Sequence, residues 1–364
     1  RADVVEAKAA SGDTVLVRGP GARPVGRALY SGKSQIALRM LTRSDEPADL
    51  GLWKARLAAA VRFRDSLAID ADAYRLVHGE GDLLPGLVVD RYTDVLVVQS
   101  LVPGVERLLS DLVVMLVELT GARGVLARDD VRVRALEGLD ARVEVRAGDV
   151  PRELIVREGR IEYEVDVWTG QKTGLFLDQR ENRQAARQYA HGRLLDAFSY
   201  HGGFALQLAA CCERVEAIDV SEEAVARIEV NARRNRVTNL VARAGNVFDE
   251  LRMMERAGER FDTIVLDPPA FAKNKSAVAR ALSGYKEINL RALKLLSAGG
   301  VLVTCSCSYN LDEATFGQIV YEASVDAGVQ VSVVEKRTQS RDHPIVLGMP
   351  ETYYLKCLIL RKLH

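Results

Sequence analysis

Apolar runs of strand length alternate with stretches of helical periodicity from Arg193 to the end of the chain: RLLDAF, RVEAID, LVARAG, FDTIVLD, GVLVTCS, VQVSVVEK and YYLKCLILRK. Strict alternation of this kind predicts an α/β architecture, a doubly wound sheet of seven strands that is mostly parallel. The last two runs are separated by the loop SRDHPIVLGMPET rather than by a helical stretch. They are therefore expected to pair antiparallel and give the sheet a mixed edge. Upstream the pattern differs. Residues 13–42 read as short strands broken by turn signals (DTVLVRG, GPGARPVG, RALY, QIALRML), the pattern of a small β-barrel. A helix is expected from about Pro47 to Leu67, with Ser44 or Asp45 as its cap. From Tyr74 to about Thr173 strands such as LVVDRY, VLVVQSL and ARVEVR surround a helix over Val105 to Thr120, an α+β pattern. The expected segments are a barrel over 1–45, a linker helix over 46–69, an α+β middle domain over 70–173 and the doubly wound domain over 174–364.

The chain has 364 residues, 48% hydrophobic and 27% charged, which suits a fully folded protein of two or three domains. No apolar run approaches the ~20 residues that span a bilayer, and RADVVEAKAASGD lacks a signal-peptide core, so a cytoplasmic protein without a membrane partner is expected. The five cysteines show no C-x-x-C spacing, which predicts reduced thiols and no metal site. Lys+Arg and Asp+Glu both number 50, so only local charge can argue for a polyanionic partner. Residues 1–70 hold 12 basic and 8 acidic side chains, and Arg128 to Arg160 is arginine-rich.

In an open α/β sheet, ligands bind beyond the carboxyl ends of the strands. The polar residues of the C-terminal half gather there: Asp196-Ala-Phe198-Ser199-Tyr-His-Gly202-Gly203-Phe204 after the first strand, Asp219 after the second, Gly245-Asn246 after the third, Asp267-Pro268-Pro269 after the fourth. Asp219 follows Asp196 at close to the ~20-residue spacing at which a carboxylate accepts ribose hydroxyls. Phe198 and Tyr200 fill what would be glycine positions of a phosphate-binding turn, which disfavours a dinucleotide. S-adenosylmethionine, a nucleoside without phosphate, fits better.

The Pro-Pro turn aims Asp267 into the cleft, where a planar base could be held. The fifth strand ends Thr304-Cys305-Ser306-Cys307-Ser308. Alternation points both thiols the same way and places Cys307 nearer the pocket mouth. Cys305, Cys211, Cys212 and Cys357 read as small hydrophobes, the ordinary role of buried cysteine. A strand-end thiol suits methylation of a pyrimidine at carbon 5, which becomes nucleophilic only after a thiolate adds at carbon 6.

These residues, together with TGLFLDQRENR (173–183), DAFSYHGGFA, LDPPAFAKNK, GYKEINLRALKLL, TCSCS, HGEGDLLPGLVVDRY and DHPIVLGMPETYYLK, resemble the bacterial large-subunit ribosomal RNA cytosine-C5 methyltransferases that carry an N-terminal PUA domain. The resemblance covers nearly the whole chain. It implies a PUA-like barrel to about residue 45, which the chain enters partway, then an RNA-holding middle domain and a Rossmann-like class I catalytic domain. It places the nucleophile at Cys307 and implies that Phe176, Asp178, Gln179 and Arg180 close over the cofactor. It also implies large-subunit ribosomal RNA as partner, as free RNA or in an early assembly intermediate, and leaves the oligomeric state open, a homodimer included. Asn246 stands where an acidic residue is common. Pro-Pro rather than Pro-Cys follows Asp267, so the base that removes the carbon 5 proton is unassigned.

Two rival readings remain. An RNA base N-methyltransferase, acting on guanine N7 or an exocyclic amine, would leave Cys307 idle, and here Ala270 occupies the aromatic slot after Asp-Pro-Pro while Phe271 lies one residue late. A non-catalytic RNA-binding ribosome-assembly factor would have no need of Asp267 and Cys307.

Overall fold

The computed structural model describes residues 4–271 and 278–363. The chain divides into two compact units, one of Arg1–Glu158, Val165–Leu177 and Arg341–Val346, the other of Gly159–Glu164, Asp178–Ser340 and Leu347–His364.

The first unit begins with a three-stranded antiparallel sheet of β1 (Thr14–Arg18), β2 (Pro24–Tyr30) and β3 (Leu38–Met40). Helix α1 (Leu50–Ser66) follows, with Trp53, Leu57, Ala60 and Arg64 on its buried face. Its cap is Asp49, whose carboxylate accepts the Leu52 N–H, so the helix starts later than Ser44 or Asp45 predict; Asp45 instead pairs with Arg27 at 2.9 Å. Next come β4 (Ala73–His78), β5 (Leu87–Tyr92), β6 (Val95–Ser100), α2 (Pro103–Thr120), β7 (Gly124–Arg128), α3 (Val133–Glu137) and β8 (Val143–Gly148). The five strands form one sheet in chain order, parallel between β6 and β7 and antiparallel elsewhere. Helix α2 is the crossover that a parallel pair requires. One apolar core joins Leu29 and Leu41 of the small sheet region, Trp53 and Leu57 of α1, and Val89, Val98, Leu109 and Leu112 of the larger layer. The division between the units falls in the hairpin of β9 (Leu154–Glu158) and β10 (Ile161–Val165).

The second unit runs α4 (Arg180–Ala186), β11 (Arg193–Ala197), α5 (Gly203–Leu208), β12 (Arg214–Asp219), α6 (Glu222–Arg234), β13 (Leu240–Ala244), α7 (Val247–Arg256), β14 (Phe261–Leu266), α8 (Val278–Leu295), β15 (Leu296–Ser306), α9 (Glu313–Ala327), β16 (Val331–Arg337) and β17 (Lys356–Lys362). All seven expected strands join one sheet, in the order β13-β12-β11-β14-β15-β17-β16. The first five are parallel. The last two pair antiparallel as the helix-free loop predicts, and β17 also inserts between β15 and β16, antiparallel to both. This is the mixed α/β sheet of a class I methyltransferase fold. Apolar layers cover both faces, one built on Leu195, Ile264, Leu293 and Phe316, the other on Leu194, Phe204, Ile228 and Val303.

Candidate active site

The strand order reverses between β11 and β14, since β12 and β13 lie on one side and β15 on the other. A crevice opens beyond the carboxyl ends of strands at such a switch. Asp196 sits near the end of β11, Asp219 ends β12, and Asp267 directly follows β14.

Asp196 is almost fully buried. One carboxylate oxygen, Oδ2, accepts from Ser199 Oγ at 2.6 Å and from the Ala205 N–H at 2.8 Å, while Oδ1 has no hydrogen-bond partner. Burial pushes its carboxyl up to about 7, with the charges of Asp267 and Asp219 adding to the rise against the pull of the two hydrogen bonds. Three carboxylates that feel one another favour a cationic ligand, as a sulfonium with an amino group is.

The loop after β11 holds a backbone that favours glycine. Phe198, Tyr200 and Gly202 all have positive φ, at 66°, 52° and 81°. Phe198 and Tyr200 therefore hold a backbone conformation that glycine adopts without strain, at ~1 kcal/mol or more each. Hydrogen bonds impose the geometry: Ser199 N–H to Ile218 O at 3.0 Å, Gly202 N–H to Ser199 O at 2.9 Å, and Tyr200 N–H to Asp219 Oδ2 at 2.8 Å. The other Asp219 oxygen accepts the Ser221 N–H at 3.0 Å. At Gly202 a Cβ would come within 3.1 Å of Leu206. Gly203 opens α5, and Phe204 turns into the core beneath it. Asn246 is an exposed helix cap, its Oδ1 accepting the Phe248 N–H at 3.0 Å at the start of α7.

Gln179 reaches the crevice from its short helical turn. Its Nε2 donates to Asp267 Oδ1 at 2.7 Å, and its Oε1 accepts from Asn182 Nδ2 at 2.6 Å. Arg337 in turn donates to Asn182 Oδ1 at 3.2 Å. Asp178 accepts the Tyr354 hydroxyl at 2.8 Å and, through its carbonyl, the Ser340 N–H at 2.8 Å. Arg180 is buried beside Glu181. Phe176 belongs to the first unit, where Lys172 Nζ stands 4.5 Å from its ring centroid. The Ala272 to Lys275 part of the LDPPAFAKNK motif lies outside the described residues.

Strand β15 ends at Ser306, one residue before Cys307, so the alternation expected to align the two thiols stops short of Cys307. Cys305 lies fully buried opposite Cys357 of β17. The hydrogen bond between these two thiols, reinforced by burial, holds Cys305 well above the usual thiol range. Cys307 is half-buried at the strand end, its Sγ 3.8 Å from the Pro268 carbonyl after β14.

Several neighbours escape sequence reasoning. Tyr285 of α8 is fully buried, with its hydroxyl 2.9 Å from Ser308 Oγ. Lys356, the first residue of β17, is 2% exposed. A lysine directly before the apolar run Cys357–Leu360 was the available signal. Among the described residues there is no cluster of three metal-ligating side chains, and no helix is long and apolar enough to cross a membrane.

Residues 74–361 match the family model described as S-adenosylmethionine-dependent methyltransferase. The chain is 40% identical over 360 residues to the ribosomal RNA large subunit methyltransferase I of Erwinia tasmaniensis, spanning 97% of this chain and 91% of that protein. The protein of the same name from Tolumonas auensis is 41% identical over 368 residues, spanning 99% and 93%. Among solved structures, a protein assigned as a SAM-dependent methyltransferase from Streptococcus mutans superposes with a TM-score of 0.84 at 18% identity, over 97% of this chain and 92% of that one. A further methyltransferase structure, complexed with SAH, gives 0.85 at 19% identity, over the same shares. At that identity the structures speak for the fold alone; the sequence relatives carry the family. The chain is an S-adenosylmethionine-dependent enzyme that belongs to the S-adenosylmethionine-dependent methyltransferase family and, within it, to the ribosomal RNA large subunit methyltransferase I group.

Proposed function

We propose that this protein transfers a methyl group from S-adenosylmethionine to carbon 5 of a cytosine in large-subunit ribosomal RNA, through a covalent adduct on Cys307. The relatives' name supplies the RNA class. The observation that carries the chemistry is the contrast between a thiol inside β15 and a thiol just past its end. Cys305 is sealed against Cys357, whereas Cys307 is accessible beside the Asp267-Pro268 turn.

In this reading the Cys307 thiolate adds to carbon 6 and makes carbon 5 an enamine-type nucleophile. Carbon 5 takes the methyl group from the sulfonium, which leaves as the neutral thioether. A base then removes the carbon 5 proton and the electron pair expels the thiolate. Asp267, its orientation fixed by Gln179, hydrogen-bonds the ring at N3 or the exocyclic amine and stabilises the adduct. Asp219 takes the ribose, Asp196 and the 198–204 loop (Phe198, Ser199, Gly202, Gly203, Phe204) surround the methionine end, and Asn246 lies toward the adenine. Asp178, Gln179 and Arg180 complete the cofactor set. The N-terminal segment to residue 45 acts as a PUA-like module, and with the arginine-rich middle segment it holds RNA.

One observation weighs against the N-methyltransferase reading. Phe271 is committed to an aromatic cluster, with ring centroids 4.7 Å from Tyr285, 5.8 Å from Phe248 and 6.3 Å from Phe198, rather than turned out to stack on a base. The test is transfer of labelled methyl to unmodified ribosomal RNA followed by nucleoside digestion. Label in 5-methylcytidine is expected. Label on guanine N7 or an exocyclic amine would replace the reading with the N-methyltransferase, and no transfer would favour the assembly factor.

A further inference from the structure

Lysine ammonium groups are seldom buried without a carboxylate partner, because desolvation penalises the charge. Lys356 is such a case. Strand β17 pairs Lys356 with Ser306, the last residue of β15, which carries the lysine side chain to the strand end where Cys307 stands. Nζ donates to the Ser308 carbonyl at 2.7 Å and to the Tyr354 carbonyl at 2.8 Å. Among the described residues no carboxylate stands within ion-pair distance of it. Asp312, the carboxylate that acts on it, is engaged as the cap of α9, accepting the Thr315 N–H at 2.7 Å.

The titratable groups that act on the ammonium are Cys307 and Asp312. Burial pulls the lysine down to about 8, and a negative charge on Cys307 is the larger of the two influences that push it back up. Two carbonyl dipoles hold the nitrogen in place without neutralising it. A buried cation lacking a counter-ion beside a thiol is the surround that favours a thiolate.

We propose that Lys356 is the positioning residue that charges the nucleophile: its ammonium, fixed between the Ser308 and Tyr354 carbonyls, is the counter-ion of the Cys307 thiolate. The thiol proton leaves to bulk water, and the lysine stays protonated while the anion is present. No bond to Lys356 forms or breaks. The pairing has a sign: above pH ~8 an unpaired lysine would lose its proton, so the support is strongest when thiolate and ammonium coexist. This inference deepens the Cys307 reading and rests on it for its catalytic meaning, but the charge coupling can be measured without RNA.

The experiment is the pH dependence of iodoacetamide alkylation, mapped by peptide mass, on the whole wild-type protein, K356M and K356R. Wild type should alkylate Cys307 with a midpoint below the ~8.5 of a free thiol. In K356M, which swaps the ammonium for an apolar chain of similar length, the midpoint should move up by about one pH unit or more. K356R, which keeps the charge at every accessible pH, should stay near wild type. Protection of Cys305 and Cys357 reports that a variant is folded. A folded K356M with an unmoved midpoint overturns the proposal. Should K356M expose Cys305 and Cys357, the wild-type and K356R arms decide: a wild-type midpoint at or above ~8.5 overturns it, and low midpoints in both sustain it. A shifted K356M midpoint in an enzyme that puts no methyl on carbon 5 would keep the coupling and retire the carbon 5 reading.

Discussion

Two places in the molecule treat buried polar groups differently: the Arg64 network of the first unit and the strand ends of the second. In the first unit all three guanidinium nitrogens of Arg64 meet oxygens: Nε donates to Arg75 O at 2.9 Å, Nη1 and Nη2 grip the Asp82 carboxylate, and Nη2 also reaches Asp342 O at 2.7 Å. Arg75 continues the network, gripping the Asp90 carboxylate at 2.6 Å and 3.1 Å, and Thr173 donates to Asp90 at 2.6 Å. At the strand ends of the second unit the accounts are left open. Asp196 keeps an unpartnered oxygen, Lys356 has carbonyls but, among the described residues, no carboxylate, and Phe198 and Tyr200 hold left-handed backbone. Completed networks hold a fold, whereas unsatisfied polar atoms and strained loops are what a binding site retains for its ligand.

The sharpest break of that contrast is at the end of β15. Cys307→Ala should cut methyl transfer on the order of a thousandfold or more with S-adenosylmethionine affinity intact. Cys305→Ala should keep most activity and lose about 1 kcal/mol or more of stability in denaturant unfolding, the cost of a small buried cavity. Equal activity losses in the two would erase the distinction. In the first unit, Arg64→Met strands the Asp82 carboxylate, so a loss of about 3–5 kcal/mol is expected in urea unfolding, with little change in cofactor affinity measured on folded protein. A loss under ~1 kcal/mol would show that the network is not a stabilising one.

Effects on the open accounts should be smaller. Asp219→Ala should weaken S-adenosylmethionine binding by about 1–3 kcal/mol in calorimetry; unchanged affinity in a folded variant removes Asp219 from the site. Asp196 gives the finest test. Its carboxyl is raised to about 7, so the ligand-free protein holds a proton there that the unfolded chain has released. Stability of the free protein should therefore fall as pH rises from ~4 toward 7. A cationic cofactor favours the carboxylate, so its affinity should rise with pH through 7, by at most about tenfold per pH unit, with proton release visible when buffers of different ionisation heat are compared. Affinity flat from pH 6 to 8 would mean that Asp196 does not meet the cationic end.

Much of the strand-end geometry was legible. Asp196, Asp219, Asn246 and Asp267 fall at or just beyond the ends of successive parallel strands, because apolar runs mark strands and the first polar residue after each marks its end. In the sequence Phe198 and Tyr200 read as filling glycine positions of a phosphate-binding turn, and both have positive φ, the conformation glycine adopts most easily. The insertion of β17 between β15 and β16 was not, since antiparallel pairing over a long loop leaves no local signature. With it went the approach of Lys356 to the Cys307 strand end and the pairing of Cys305 with Cys357. The Arg341–Val346 segment was also missed: it lies in the first unit, where Asp342 accepts the Arg75 N–H at 2.8 Å, a long-range bond that periodicity cannot reveal.

The central claim is the covalent bond between Cys307 and carbon 6 of the target cytosine. RNA carrying 5-fluorocytosine takes the thiolate and the methyl group but cannot lose a proton from carbon 5, so the enzyme should remain attached. Incubation with labelled S-adenosylmethionine, digestion and peptide mapping should find nucleotide and methyl label together on the peptide holding Cys307. An adduct on Cys305 would contradict the role given to the accessible thiol, and methylation of ordinary RNA without any trapped adduct would contradict the carbon 5 mechanism itself.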